Sequence, residues 1–519
     1  MPTILQDMRH ALRQLSRAPG FTLTALLTLA LGIGATTAIF TLVYDVMLRP
    51  LPFPQPDRLV VIQERVAELR EIYPELPVTA NHFFYWQRNS RSFESMTAIE
   101  QQSEPLGIGG HPLQVKVLRA TPGFFPVLGV TPLLGRAFTE QEAQPGQDSV
   151  VVLMYDLWRT EFQSDRGILG KTITLNGYPY TVIGVMPQSF HPPVVEDLAN
   201  ATDRAQPVGA LLPKAFTQDQ LAEAMGDFNY FSIARLRPGV TAAQANQELD
   251  SLQHAITVSL PPNERATLSA LITPFQQMLV GNNRTPLLIL LAAVAGLLLV
   301  GCVNIANLLL SRAVSRRQQM AIAAALGATR GQMMRMAMRE TAVLAAMGGG
   351  LGLLLAATLV PFMQRYLPPA LDFRGPLHLD WAGAGCAVLL SFAATLLAGA
   401  APAWIVSQAR PQEALRSDSR LASESRSTKR LRRVLVGVEV AVSVTLVLLT
   451  GLLTTSLMRL MSTERGFEAD RVLTAAVNLP YQSYSDRTAR TAFYQRSLER
   501  LRQLPGVEAA GLVSVPPLG

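Results

Sequence analysis

Five long apolar stretches divide this chain of 519 residues, and they constrain its fold more than any other feature. They cover residues 21–47, 286–310, 341–362, 381–406 and 434–458. Each is long enough to cross the hydrocarbon core of a bilayer as an α-helix, which takes about 20 apolar residues. Because the bilayer core offers no water to the backbone, such stretches must be helical. The sequence therefore predicts an α-helical membrane protein with about five transmembrane helices.

Basic residues are concentrated beside these apolar stretches. Residues 1–20, 312–340 and 405–433 carry net charges of +2, +5 and +5. The positive-inside rule places such blocks in the cytoplasm, and it explains the overall charge of +7 without nucleic-acid binding. Charged residues make up only 16% of the chain, below the roughly 25% of soluble proteins. We therefore expect a multi-pass protein of the cell inner (plasma) membrane, in contact with lipid, that binds no nucleic acid.

Two polar segments are predicted on the cytoplasmic side. Residues 1–20 place apolar and Arg side chains at helical spacing on different faces, which is typical of an amphipathic helix on the membrane surface. Residues 407–433 are rich in Ser and Arg and are interpreted as a flexible linker.

The polar region over residues 50–283 has the composition of a globular domain, and the predicted topology places it outside the cytoplasm. Its clearest signal is the alternating run Thr172–Val185 around Asn176-Gly177, which predicts a hairpin with a type I′ turn. Phe231–Leu236 predicts another strand. A mixture of strands and helices in one region indicates a large extracytoplasmic α+β domain.

Three further signals refine this domain. Ser149–Leu153 predicts a short buried strand, and Pro179 predicts that its own strand lies at an edge or a bulge. Thr241 and Gln244 form a capping box that begins a helix running to about Ile256.

A basic segment with a break in it joins the second and third apolar stretches. Arg316–Leu326 predicts a thin helix, and Gly327 ends it. Thr329 and Gln332 form a capping box that begins the next helix, which continues into the membrane. From spacing alone, the segment fits equally a helix that enters the cleft of another protein and an ordinary solvated loop.

The run from Arg317 to Arg330 resembles the cytoplasmic loop of the MacB/FtsX-type ABC transporter permeases. The shared pattern is a basic pair, an acidic or polar residue, an apolar stretch, Gly-Ala and then Arg or Lys. Gln318 and Gln319 stand where many members carry an acidic residue. The polar domain resembles the extracytoplasmic core domain of the same family over Thr121–Val130, Leu134–Phe138 and Gly170–Pro187.

This resemblance implies a function. In that family the cytoplasmic loop is a coupling helix that docks into a separate ABC ATPase subunit. The residues implied in docking here are Arg317, Met320, Ile322, Ala324, Leu326, Gly327 and Arg330. The chain is then a permease subunit that converts ATP hydrolysis by its partner into movement of the outer domain, for export or mechanotransmission. The alternative is a membrane-anchored sensor or scaffold that binds a ligand through the outer domain without an ATPase.

The resemblance also predicts partners and domain organisation. It implies a homodimer or pseudo-dimer, a periplasmic partner, and an FtsX-like permease domain over residues 286–406 with transmembrane helices 2–4. A duplicated subgroup of the family has two similar halves, and residues 461–519 resemble the start of a second outer domain. Within them, Val472–Leu479 predicts a strand and Thr488–Leu504 a helix. The chain therefore resembles a member truncated in its second half.

No catalytic constellation is evident in the sequence. Gly167–Thr172 is similar to part of a P-loop, but Asp165 occupies the position of its first glycine. Cys302 and Cys386 both fall inside apolar stretches, and His82 is interpreted as a core or surface residue. We expect no enzymatic activity and no cofactor in this chain, with ATP and magnesium bound by the partner ATPase.

Overall fold

The computed structural model of the protein divides the chain into two compact units. One contains residues 1–49, 282–367 and 376–464, and the other contains residues 50–281, 368–375 and 465–519. The residues that the structure describes are 13, 15–108, 111–193, 208–223, 225, 228–259, 266–281, 284–315, 329–365, 377–407, 426–462, 472–473, 477, 479 and 486–513.

Helices and strands are numbered in chain order. The helices are α1 (Pro19–Val43), α2 (Ala80–Asn89), α3 (Phe124–Leu128), α4 (Tyr155–Glu161), α5 (Gln218–Ala222), α6 (Ala242–Ser259), α7 (Phe275–Val280), α8 (Arg284–Ser315), α9 (Arg330–Gln364), α10 (Trp381–Ser407), α11 (Arg426–Ser462) and α12 (Arg487–Arg502). The strands are β1 (Leu59–Val66), β2 (Phe93–Ile108), β3 (His111–Ala120), β4 (Leu134–Gly135), β5 (Val150–Leu153), β6 (Thr172–Leu175), β7 (Tyr178–Val185), β8 (Val208–Pro213), β9 (Phe231–Leu236) and β10 (Leu268–Pro274).

Five of these helices are long and apolar enough to cross a membrane, namely α1, α8, α9, α10 and α11. A π-helical turn over Tyr44–Leu48 extends α1, so that its apolar span runs from Pro19 to Leu48. Together with the sheet-containing unit, these helices confirm the predicted fold class of a helical membrane protein with a large extracytoplasmic α+β domain.

Glycines allow the apolar helices α1, α8 and α9 to pack closely. A methyl group at Gly32 of α1 would lie 2.9 Å from Leu298 Cδ1 of α8. A methyl group at Gly34 would lie 2.9 Å from the carbonyl oxygen of Gly352 on α9. At Gly34 the neighbouring atom belongs to the backbone and cannot move aside, so this approach requires glycine, whereas at Gly32 the end of the Leu298 side chain would have to shift. Helices α1 and α9 therefore approach closely where Gly34 meets Gly352.

Helix α11 begins earlier than the sequence indicates. Residues 426–433 fall in the predicted linker over residues 407–433, but they form the first turns of α11. Arg and Lys are good helix formers, and adding a turn to an existing helix is far easier than nucleating one. The basic end of the linker therefore continues the membrane helix. Residues 408–425 lie outside the described part of the chain.

The N-terminal segment is described only in part. Most of the amphipathic helix predicted over residues 1–20 lies outside the described residues. Leu15 is buried in the apolar core of the helical unit. Pro19 occupies the first turn of α1, where the missing backbone N–H has no partner to lose.

All ten strands form one mixed sheet in the second unit. Their order is β10-β1-β9-β2-β3-β8-β5-β7-β4, and β6 pairs with both β2 and β7. β3–β8 and β5–β7 are parallel, and the other pairs are antiparallel. Strand β9 matches the predicted strand, and β5 is one residue shorter than predicted.

The predicted hairpin is present as β6 and β7. Asn176 and Gly177 have φ angles of +50° and +82°, as a type I′ turn requires, and Leu175 pairs with Tyr178 across it. Of the two alternatives predicted for the strand of Pro179, the edge is wrong, because β7 has neighbours on both sides, but β7 does contain an irregularity, a register shift against β5 between Val182 and Gly184. Proline is tolerated because it faces Thr174 of β6, whereas pairing with β5 begins only at Thr181.

Side chains from α6 cover the sheet edge at β10. The backbone N–H groups of Ala270 and Ile272 donate to Asp250 Oδ1 at 2.9 Å and Asn246 Oδ1 at 2.8 Å. Since Asn246 and Asp250 are four residues apart, one helix face satisfies the edge. The capping box at the start of α6 is confirmed, because the backbone N–H of Gln244 donates to Thr241 Oγ1 at 3.3 Å.

His82 belongs to the core of the same domain. It is fully buried, and its Nδ1 lies 2.8 Å from Oε2 of the equally buried Glu64. Residues 461–519 contain α12, which matches the predicted helix. Among the described residues of Val472–Leu479, none is in a strand.

Candidate functional site

The candidate site is the segment between α8 and α9, where the resemblance places a coupling helix. Six of the seven implied docking residues lie outside the described residues; they are Arg317, Met320, Ile322, Ala324, Leu326 and Gly327. The structure describes the seventh, Arg330, and the helices that enter and leave the segment.

The exit from the segment is fixed by the predicted capping box. The side chain of Thr329 accepts a hydrogen bond from the backbone N–H of Gln332 at 3.4 Å. In return, the backbone N–H of Thr329 donates to Gln332 Oε1 at 2.8 Å. This reciprocal pair satisfies two backbone donors that a helix start otherwise leaves free. Helix α9 therefore has a defined starting point.

Arg330 occupies the first turn of α9 and is exposed. A helix N-terminus carries a partial positive charge, so a cation there is destabilising by about 0.3–1 kcal/mol. The first turn contains no acidic residue that would offset this cost. The position of Arg330 is therefore not explained by the stability of the start of α9.

An ion pair joins the two helices that flank the segment. Arg312, three residues before the end of α8, donates from Nη1 to Glu340 Oε1 of α9 at 2.9 Å. The Glu340 side chain is only 8% exposed and that of Arg312 is 23% exposed. The pair is thus largely shielded from water, where its attraction is stronger than at a surface.

The same guanidinium also contacts α1. Arg312 Cζ lies 3.9 Å from the ring centroid of Phe21, close enough for a cation–π interaction. One side chain of α8 therefore holds α9 through Glu340 and α1 through Phe21. Together, Phe21, Arg312 and Glu340 form what we call the three-helix tie.

The tie lies beyond the segment on both sides. Glu340 lies ten residues after Arg330, or about 15 Å along the helix. Arg312 is close to the other end of the segment. A displacement of the segment therefore acts on helices that are already bound to each other and to α1.

The sequence contained one signal for this tie. Glu340 is the single acidic residue among six Arg in residues 312–340. An acidic residue at a membrane boundary that is otherwise basic indicates a specific partner. The choice of Arg312 as that partner, 28 residues away, required the structure.

The described residues offer no sign of a catalytic or metal centre. Among them, no group of three or more His, Cys, Asp or Glu side chains is placed to hold a metal ion. In the P-loop-like run, Lys171 is not directed at a phosphate site. Its Nζ donates a hydrogen bond to the carboxylate of Asp165 at 2.7 Å. The hydrogen bond from Lys171, followed by that from the backbone N–H of Gly167, lowers the pKa of Asp165. The lysine is therefore engaged by a local ion pair.

The five apolar helices and the α+β domain between the first two define a multi-pass membrane protein with a large extracytoplasmic domain. The family model for the MacB-like periplasmic core domain matches residues 22–252. The model for the FtsX-like permease C-terminal region matches residues 291–411. The chain belongs to the MacB/FtsX-type permeases.

Curated relatives agree with this assignment. The macrolide export ATP-binding/permease protein MacB of Bdellovibrio bacteriovorus is 26% identical over 310 residues, which are 58% of this chain and 44% of that protein. The MacB protein of Escherichia coli K12 is 24% identical over 283 residues, covering 54% of this chain and 40% of that protein. The chain thus spans less than half the length of the curated relatives that it matches.

Two solved structures are similar to part of the chain. The periplasmic region of MacB from Actinobacillus actinomycetemcomitans is 17% identical, with a TM-score of 0.30, and the match covers 45% of this chain and 92% of that one. A domain of a permease protein from Porphyromonas gingivalis is 20% identical, with a TM-score of 0.33, over 43% of this chain and 92% of that one.

Proposed function

We propose that this chain is the permease subunit of an ABC transporter, in which a separate ATPase drives movement of the extracytoplasmic domain. The movement serves export or mechanotransmission. The observation that supports this proposal most is the three-helix tie, which joins the two helices that flank the implied coupling segment and, through Arg312, links them to α1. Helix α1 is the membrane helix from which the chain enters the outer domain.

The first step of the proposed mechanism is docking. Short and apolar side chains at Ala324 and Leu326 fit the groove of a partner, and Arg317 and Arg330 supply positive charge at its rim. The partner binds ATP and magnesium and catalyses the hydrolysis. This chain itself is not an enzyme, and its 519 residues contain no complete P-loop motif.

The second step is transmission within the helical unit. When the partner closes on ATP, the segment moves with it, and the tie passes that displacement to α8, α9 and α1 together. The close contact at Gly34 and Gly352 prevents α1 from sliding freely along α9, since packed interfaces do not deform continuously. In the assembled transporter, two permease copies or two halves act as a homodimer or pseudo-dimer in the inner membrane and meet a periplasmic partner.

Docking is tested with two substitutions in the segment. Ala324→Trp introduces bulk into the groove, and Leu326→Asp places a charge in an apolar contact. Each full-length variant is purified from the native membrane under conditions in which the wild type retains its ATPase, and magnesium-dependent ATP hydrolysis is measured. We expect both variants to insert normally and to lose hydrolysis at least tenfold. For Leu326→Asp the reason is that an unpaired buried charge costs more than about 1.4 kcal/mol, which is a factor of ten in binding. For Ala324→Trp the reason is a steric clash in the groove.

The matched control is Arg335→Gln, which removes a charge from an exposed position of α9 outside the segment. It is expected to retain hydrolysis. Wild-type hydrolysis in both segment variants would contradict the docking proposal and favour a sensor or scaffold that works without an ATPase.

A further inference from the structure

The chain enters the outer domain through a strap, residues 50–55, that buries two of its side chains. Leu51 and Phe53 are 3% and 6% exposed, although they follow a membrane helix directly. Both belong to the largest apolar cluster of the domain. A connection between two units usually consists of exposed polar residues with few contacts. This strap instead anchors two apolar side chains in the core, while its other four residues are exposed.

The chain leaves the domain through helix α7, which packs in the same place. Phe275 begins α7 and is fully buried, and it belongs to the same cluster as Phe53. The two rings lie 6.4 Å apart between centroids and are nearly parallel, at 22°. The outgoing and returning connections of the domain are therefore in direct contact with each other.

A buried arginine fixes the strap to the sheet. Arg235 of β9 is 5% exposed and donates from Nη1 to the carbonyl oxygen of Pro54 at 2.8 Å. Its Nε donates to the carbonyl oxygen of Val127, in the last turn of α3, at 2.9 Å. Burial, and then repulsion from Arg58, lowers the pKa of Arg235. Burying the guanidinium costs free energy unless its N–H groups are hydrogen-bonded. The two backbone carbonyl groups offset part of that cost, and they do so only while the strap and α3 keep their positions around Arg235.

We propose that Phe53, Phe275 and Arg235 form a joint that makes the two connections move as one. The proposal rests on the proposed function, since it assigns the residues through which movement of α1 enters the outer domain. Without the joint, movement of α1 would displace the strap without displacing α7. With it, a displacement of either connection is shared by the strap and α7. These are positioning residues, and they touch no substrate.

Phe53 and Phe275 differ from most other buried residues of the cluster because they lie in the two connections of the domain. Phe138 is buried to a similar extent, at 4%, in the same cluster, and its ring packs 4.9 Å from that of Phe125. It lies in neither connection. Phe138→Leu therefore removes comparable apolar contact without touching the joint, and it is the matched control.

The first test asks whether the two connections open together. Hydrogen exchange is measured by mass spectrometry on the full chain in detergent. Phe53→Leu is expected to raise exchange about tenfold in both the strap and residues 275–280, because a joint opens cooperatively. Phe138→Leu is expected to leave both segments unchanged. Faster exchange in the strap alone, or the same pattern in both variants, would overturn the joint.

The second test asks whether the joint transmits movement. Spin labels are placed at the exposed positions Thr160 and Ser456 in a background with Cys302 and Cys386 replaced by Ala. Their distance is measured in the ATPase complex with and without magnesium-ATP and vanadate, beside hydrolysis by the same sample. In Phe53→Leu, we expect normal hydrolysis and loss of at least half of the nucleotide-dependent distance change. Arg235→Met should act in the same way, and Arg235→Lys should recover part of the change.

The outcomes distinguish the two proposals. A distance change in the wild type that Phe53→Leu and Arg235→Met leave intact would overturn the joint alone. An equal loss in Phe138→Leu would also overturn it, because general loosening of the core would then explain the result. A wild type whose distance is insensitive to nucleotide would overturn the proposed function, and the joint with it.

Discussion

Replacing Glu340 by Gln keeps the shape of the side chain and removes its charge, so it weakens the three-helix tie selectively. Two unit charges about 4 Å apart attract by about 4 kcal/mol at an effective dielectric constant of 20. Arg312 is 23% exposed, and both groups are partly desolvated, which reduces the net value. We expect a coupling energy of about 1–3 kcal/mol between Arg312 and Glu340.

The chain carries its own reporter for this measurement. Cys302 lies in α8 and is 1% exposed, so a thiol-reactive dye labels it only when the helical unit opens. With Cys386 replaced by Ser, heating the full chain in detergent gives one labelling transition. Glu340→Gln should lower its midpoint by roughly 2–12 °C, from about 1–3 kcal/mol at about 2–4 °C per kcal/mol for a unit of this size.

A double-mutant cycle isolates the pair from its surroundings. Arg312→Gln, Glu340→Gln and the double variant are compared with the wild type, and Arg335→Gln serves as the control for loss of charge on α9. The double variant should be destabilised by less than the sum of the single variants. If the effects of the two single substitutions simply add, to within about 0.5 kcal/mol, then Arg312 and Glu340 do not form a working tie.

Two other predictions concern the helix interface and the pH response of the outer domain. Gly348→Ala should lower the dye-labelling midpoint, because the new methyl group would lie 2.5 Å from Leu29 Cβ, whereas Gly350→Ala, with no atom within 4 Å, should not. The hydrogen bond from Arg136 lowers the pKa of Glu142, so the pair contributes stability above the ordinary carboxyl pKa of 4.5 and loses it as pH falls below that value. Calorimetry between pH 6 and pH 3 should show a smaller loss of stability for Glu142→Gln than for the wild type, and identical slopes would contradict this reasoning.

Local sequence signals predicted the features that depend on neighbouring residues. The Asn176-Gly177 turn and the capping boxes at Thr241 and Thr329 are set by residues one to three positions apart. Each has a distinct chemical requirement, either a positive φ or a side chain that reaches its own backbone. The five apolar helices follow equally directly from the length of a membrane span.

Long-range pairing was beyond the reach of these signals. By alternation Arg235 shares a face of β9 with Phe231 and Ile233, both in the apolar core, so the local pattern gives no partner for its charge. Its acceptor at Pro54 is 181 residues away. The order of the sheet is similar, since β10 pairs with β1 across most of the domain. The coupling residues from Arg317 to Gly327 stay a prediction, because they lie outside the described residues.

The location of the polar contacts in the helical unit bears on how movement would travel. The tie lies near the predicted cytoplasmic end of α9, and the glycine contacts at Gly348 and Gly352 lie further along the same helix against α1. A single contact would allow α1 to pivot about it, whereas two separated contacts fix both the position and the direction of the helix. The chain runs on from α1 into the strap, where Leu51 and Phe53 belong to the apolar core of the outer domain, so under the proposed mechanism a displacement near Arg312 reaches the joint through α1. Weakening either contact alone should therefore reduce the movement of the outer domain, even when the ATPase remains bound.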